Sequence, residues 1–144
     1  MTDVVPDGRS YALLSLGDQA RGVAAGWAVQ LADSPLWQRH ADRLDEPLLA
    51  DFRAELAAVV VGWRLLLCGP SAEVQVLRAE AVRAGAVPAE IHAVVTSAGP
   101  KRVYCAHCRT IGPGPVCSGC GLHLTVTGHH SRRLAAFLGF KREP

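Results

Sequence analysis

Cys105 and Cys108, then Cys117 and Cys120, form two Cys-x-x-Cys pairs separated by eight residues. Two intervening residues let one backbone knuckle present two sulfurs to a single ion, and two knuckles supply four thiolates. Four thiolates close a tetrahedral shell, which leaves no position for water or substrate, so the expected role of the ion is structural. Zinc is the ion expected. Mononuclear iron takes the same four-sulfur set, and a pair of disulfides or a redox dithiol is the alternative without metal. Gly121 follows the second pair, where a knuckle often needs positive φ, and Gly112-Pro113-Gly114-Pro115 offers turn chemistry to reverse the chain between the pairs. His107, His123, His129 and His130 lie close by. With the shell already filled, they are expected to serve in packing or at the surface.

The pairs divide the chain. Of its 144 residues, 49% are apolar, enough for a real core and for one ordinary domain or two small ones. No apolar run reaches the roughly 18 residues of a membrane span. The start, Met1-Thr2-Asp3-Val4-Val5-Pro6-Asp7, lacks the basic and apolar regions of a signal peptide, so a cytoplasmic protein is expected. Cys68, far from the array in an apolar stretch, fits a reducing compartment. The formal net charge is +2, unevenly spread. Residues 101–144 hold seven basic and one acidic residue, and residues 1–100 hold eight and twelve. Part of the basic surplus compensates the local charge of four thiolates on a divalent ion, and the rest is a candidate docking face.

The positioning elements read as alternating strands and helices. Tyr11–Leu16 is a short apolar run closed by Gly17, hence a strand. Residues 18–32 carry Val23, Trp27 and Leu31 at helical spacing, with Gly22 and Gly26 against it. Residues 36–46 read as a loop with one helical turn, anchored by Trp37 and Leu44, and Leu48–Val61 as a helix stopped by Gly62. Trp63–Cys68 is a buried strand, and Gly69-Pro70-Ser71 turns it into a helix that faces Val74, Leu77, Ala81 and Val82 inward and ends at Gly85. A strand follows at Ile91–Val95. Strand, helix, strand with short loops is a βαβ unit, so the sheet is at least partly parallel. Residues 97–102 form the linker, which bounds an α/β domain over 1–98 and a four-cysteine module over 99–144. In that module a short strand enters Cys105, another spans Leu122–Thr127, and Ser131–Phe140 is expected as a short C-terminal helix with Leu134, Phe137 and Leu138 packing back. Roughly 40 residues cannot bury enough surface to stand alone, and a structural zinc can add about 10–16 kcal/mol of apparent binding free energy to such a module.

Leu65-Leu66-Leu67-Cys68-Gly69-Pro70, the following helix, Gly85 and the strand at Ile91-His92 resemble the last βαβ unit of the pyridine-nucleotide domain of ferredoxin–NADP reductases. That resemblance covers residues 63–95 and implies a small Rossmann-like parallel sheet, with Cys68, Gly69 and Pro70 as a vestigial nucleotide turn at the carboxyl end of a strand. The sequence departs from the reductases after the first strand. Leu16-Gly17-Asp18-Gln19-Ala20 supplies one glycine and an acid where backbone N–H groups would cradle a pyrophosphate. The domain is therefore read as degenerate, kept without its nucleotide.

Taken together, the α/β domain, the four-cysteine zinc ribbon, and the tail with His129, Ser131, Arg132, Arg133, Gly139 and Phe140 resemble the dimethylamine monooxygenase small-subunit family (DmmA-like), over residues 10–142. The resemblance implies a non-catalytic accessory or assembly subunit of a multi-subunit heme-dependent amine monooxygenase that carries out oxidative N-demethylation. A heme-bearing oxygenase subunit and a flavin and iron–sulfur reductase subunit would be the partners, with heme and flavin in them alone. His129, Arg132 and Arg133 are the candidate docking residues, since two guanidiniums can engage an acidic patch through paired hydrogen bonds. A solvated turn is the plainer alternative for them. Two other functions compete. A zinc-ribbon nucleic-acid or protein-interaction module fits the basic tail, although Tyr104, Phe137 and Phe140 are a meagre stacking platform. A weak NAD(P)-binding redox domain is the third. No nucleophile elbow, paired carboxylates or Gly-rich phosphate loop argues for a stand-alone enzyme.

Overall fold

The computed structural model describes residues 3–98 and 102–141. The first part is β1 (Ser10–Leu16), α1 (Asp18–Gln30), β2 (Leu36–Ala41), α2 (Glu46–Ala57), β3 (Trp63–Pro70), α3 (Ser71–Arg83) and β4 (Ile91–Ser97). Its sheet has the order β2-β1-β3-β4 with every pairing parallel. Parallel strands buried on both faces need near-continuous apolar sequence, and β1 and β3 provide it, with Ala12, Leu13, Leu14, Leu65, Leu66 and Leu67 all fully buried. Alternate residues feed two cores. Leu14, Leu16, Leu65 and Leu67 meet Phe52 and Leu56 of α2 and Val74 and Leu77 of α3. Leu13, Leu66 and Cys68 meet Ala20, Ala24, Trp27 and Leu31 on the α1 side. The linker's Gly99, Pro100 and Lys101 lie outside the described residues.

Local signals set the helix ends. Asp45 caps α2 by accepting from Leu48 N–H at 2.9 Å, and Pro47 sits in the first turn. Gly85, at φ 109°, ends α3, with Ala86 N–H donating to Ala81 O and Gly85 N–H to Val82 O, a Schellman closure. The helix expected to reach Val61 stops at Ala57, and Val59, Val60 and Val61 are exposed. Gly62, at φ 90°, serves the turn into β3.

Two elements differ from the sequence reading. Residues 36–41 are a strand, not a loop. β2 is the edge of the sheet, so it needs few buried residues. Trp37 is its anchor, against Phe52 at 6.2 Å between ring centroids and beneath the Arg39 guanidinium at 4.8 Å. The expected C-terminal helix is absent, and residues 124–141 form a hairpin of β7 (Leu124–Ser131) and β8 (Ala136–Lys141). Ten residues containing Gly139 make a marginal helix. As a strand the segment pairs with both β7 and β5 (Val103–Cys105), giving a second sheet of order β6-β5-β8-β7, with β6 at Ile111–Gly112. Gly139 is small for a reason. A Cβ there would stand 2.7 Å from Val103 Cγ1 and 3.2 Å from Leu124 Cδ1.

Among the described residues no helix is long and apolar enough to cross a membrane. Phe52 is fully buried at the centre of the α2–α3 core. Phe52→Ala is expected to cost about 3–5 kcal/mol, read as a lowered urea midpoint of the zinc-loaded chain with its zinc content unchanged.

Candidate metal centre and the surface it carries

The four predicted ligands come together. Their sulfurs all lie within 4.8 Å of one another. Cys108 and Cys117 sulfurs are 3.4 Å apart, and those of Cys105 and Cys120 are 3.9 Å apart. Metal–sulfur bonds of about 2.3 Å in a tetrahedron give sulfur–sulfur edges of about 3.8 Å. The set therefore fits one tetrahedral ion with no open position. Among the described residues no histidine joins the cluster. His107, His123 and His129 are exposed, and His130 packs edge-on against Phe137 at 4.8 Å.

The two knuckles are built alike. Cys105 N–H donates to Thr110 O at 2.9 Å and Arg109 N–H to Cys105 O at 2.7 Å. In the second, Cys117 N–H donates to Leu122 O and Gly121 N–H to Cys117 O, each at 2.9 Å. The residue after each second cysteine takes positive φ, 65° at Arg109 and 75° at Gly121. The expectation at Gly121 holds. At Arg109 the equivalent strain falls on a residue with a side chain, and only the parallel between the knuckles could have signalled it.

Hydrogen bonds favour thiolate at Cys108 and Cys117, whereas at Cys120 the Leu122 N–H is outweighed by desolvation and the neighbouring sulfurs, which push its pKa up to about 11. Thr110 Oγ1 sits 3.2 Å from Cys108 Sγ, and this contact above all lowers the Cys108 pKa to about 6. Cys117 is also lowered, chiefly by the Cys120 N–H, and Gly119 N–H donates to the same sulfur at 3.3 Å. Space is as restrictive as charge. A Cβ on Gly119 would lie 2.4 Å from Thr110 Oγ1 and 3.2 Å from Cys108 Sγ.

The second motif sits at the carboxyl end of the first sheet. Cys68 pairs in register with Ser15, next to the end of β1. Its thiol is buried, and burial, then the Asp3 carboxylate, push its pKa up to about 11. Gly69 lies against β1, and a Cβ there would meet Leu16 Cβ at 3.0 Å and Leu16 O at 3.2 Å. Gly17 N–H, at the head of α1, donates to Ala41 O at 2.9 Å. Asp18 follows it in the first turn of α1 and pairs with Arg21.

The third set, His129, Arg132 and Arg133, is exposed at the tip of the β7–β8 hairpin. Leu134 N–H donates to Ser131 Oγ at 3.1 Å and Ala135 takes φ 55°, which closes the turn. Sequence reasoning missed what holds this tip. Arg83 of α3 donates to Arg133 O at 2.6 Å, His130 Nε2 lies 3.2 Å from Gln75 Oε1, and Arg102 donates to Ala135 O at 2.8 Å. Glu80 in turn accepts from Arg53 of α2 and from Arg83, each pair at 2.9 Å. The only sequence signal was the i,i+3 spacing of Glu80 and Arg83 on the polar face of α3.

Residues 102–140 match the family model described as the C-terminal domain of dimethylamine monooxygenase subunit DmmA-like. The chain is also similar to the heme-dependent oxidative N-demethylase delta subunit of Ectopseudomonas mendocina (strain ymp), 38% identical over 104 residues. That alignment covers 66% of this chain and 59% of the relative's length. It is longer than the four-cysteine region, so the likeness reaches into the α/β domain. No solved structure matches the chain.

Two outcomes test the geometry. Elemental analysis of the purified chain is expected to find one zinc. Cys105→Ser is expected to lose it, with amide protection lost across residues 102–141 and kept in β1 and β3. The Glu80 carboxyl is held below its ordinary value first by the Arg53 hydrogen bond and then, against desolvation, by Arg83. A depressed carboxyl stabilises the fold above its unfolded pKa of about 4.3, and that stability is lost as pH falls through the folded value. Urea unfolding from pH 7 downward should show wild type more stable than Glu80→Gln at pH 7. The difference should vanish below the folded pKa.

Proposed function

We propose that this chain, which belongs to the DmmA-like family through its C-terminal region, is a non-catalytic accessory subunit of a multi-subunit heme-dependent amine monooxygenase. The reaction of that complex is oxidative N-demethylation, with dimethylamine as the substrate. A heme-bearing oxygenase subunit and a flavin and iron–sulfur reductase subunit supply the cofactors. The observation that carries this reading is the 38% identity over 104 residues to a delta subunit, a stretch longer than the four-cysteine region, beside the family-model match at residues 102–140.

The chemistry of the chain agrees with an assembly role. Four sulfurs that close a tetrahedron leave no position for substrate at the ion. The thiol of Cys68 is buried and held protonated. The α/β domain is read as a reductase-type nucleotide sheet that works without nucleotide. In support, the Gly17 N–H is already engaged, Gly69 is packed on Leu16, and Asp18 places negative charge at the helix start. What remains for function is a surface, and the exposed tip with His129, Arg132 and Arg133 is the face read as docking on an acidic patch of a partner.

Co-expression with the heme-bearing and reductase subunits tests this. A stable complex is expected through affinity capture and gel filtration. The double charge reversal Arg132→Glu, Arg133→Glu is expected to abolish it while zinc content stays the same. A chain that elutes as a free monomer in the presence of both subunits would overturn the assignment.

A further inference from the structure

Between α3 and the turn of the β7–β8 hairpin lies a cavity of about 310 Å³ lined by Gln75, Arg78, His130 and Arg132. We propose that it binds a small doubly charged oxyanion of the phosphate class, held by Arg78 from the α/β domain and Arg132 from the ribbon.

The charges are otherwise unexplained. Among the described residues no carboxylate lines the cavity. Elsewhere Arg53 and Arg83 share Glu80, and Arg21 pairs with Asp18. Among the described residues the side chains of Arg78 and Arg132 have no hydrogen-bond or ion-pair partner, and Arg78 Nε is buried with its hydrogen unsatisfied. A buried unpaired donor on a charged group is costly, and two guanidiniums facing one cavity repel each other. The cost shows in both groups facing inward. Arg78 is lowered by desolvation and then by Arg132, and His130 by desolvation and then by Arg132 and Arg78. An anion between the guanidiniums removes both penalties.

The ligand class follows from counting charge. His130 donates through Nε2 to Gln75 Oε1 and is pushed toward its neutral form. Two fixed positive charges then remain. A phosphoryl group carries about −1.5 to −2 at neutral pH and offers three acceptor oxygens to planar donor forks. A lone carboxylate would balance only one of them. The cavity is at the small end of ligand pockets, about 300–1,000 Å³, so a phosphate or phosphate monoester fits. Bound there, it joins the ribbon turn to α3 beside the existing Arg83–Arg133 contact.

The test needs only the full, zinc-loaded chain, so its outcome is independent of any partner subunit. Inorganic phosphate is titrated at low ionic strength, followed by calorimetry and phosphorus NMR. Saturable one-site binding is expected. Arg78→Gln and Arg132→Gln should each weaken it at least about tenfold, the loss expected for a charge-assisted pair, and the distant Arg21→Gln should leave it unchanged. Arg132 is exposed on a turn, so zinc content checks the fold of its variant, and the urea midpoint of the α/β domain checks that of Arg78→Gln. A glycerol phosphate titration that matches inorganic phosphate would assign the site to phosphoryl groups of larger ligands, and tighter binding of free phosphate would assign it to the ion itself. Absence of saturation by millimolar phosphate, binding that survives both substitutions, or acetate binding as tightly as phosphate would overturn the proposal.

Discussion

Four sulfurs converging on one point hold the C-terminal module together. Its buried apolar cluster is small, comprising Val103, Cys105, Cys117 and Leu124. Two of those four residues are ligands, so the ion with its thiolates substitutes for the core that about 40 residues cannot build. The rest of the module follows from that constraint. Arg109 accepts a left-handed backbone because the first knuckle requires it, and Gly119 has no side chain because Thr110 and Cys108 fill the space. Gly139 lets β8 close against Val103 and Leu124 and sit in register opposite Cys105 of β5.

The module is attached to the α/β domain by polar contacts. Helix α3 buries Val74, Leu77 and Ala81 on one side and offers Gln75, Arg78, Glu80 and Arg83 on the other. Glu80 ties α2 to α3 through Arg53 and orients Arg83, which then reaches the backbone at Arg133. Most of these contacts are made at partly exposed positions, so each is weak by itself. Their value lies in fixing where the hairpin tip sits: Arg83 grips the Arg133 carbonyl from α3, while Arg102 holds the Leu134 and Ala135 carbonyls from within the module, and among the described residues the side chains of Arg132 and Arg133 have no partner.

The α/β domain places its most suggestive motif where ligands bind in open parallel sheets, beside the carboxyl ends of β1 and β3. The details there oppose a phosphate. Gly17 spends its N–H on β2, Gly69 is pressed on Leu16, and the Cys68 thiol points into the α1-side core. The N-terminal segment crosses that same side, with Asp3 accepting from Trp27 Nε1 and His92 Nε2. Two guanidiniums without a partner among the described residues, Arg78 and Arg132, instead face one cavity between α3 and the hairpin turn.

The sequence alone determined what depends on residue type at short range. Two Cys-x-x-Cys pairs set the ligands, Gly121 and Gly85 set turns by positive φ, and the apolar runs of β1 and β3 set a parallel sheet buried on both faces. It missed β2 because an edge strand keeps polar residues, and it mistook β8 for a helix because Leu134, Phe137 and Leu138 have helical spacing. Both strands exist only through their neighbours, β1 for the former and β5 with β7 for the latter. Arg132 was visible in the sequence as a charge in a basic tail. Tertiary structure alone placed Arg78, 54 positions earlier in the chain, across a cavity from it. Side-chain chemistry is written locally, but the juxtaposition of like charges is decided by packing between elements distant in the chain.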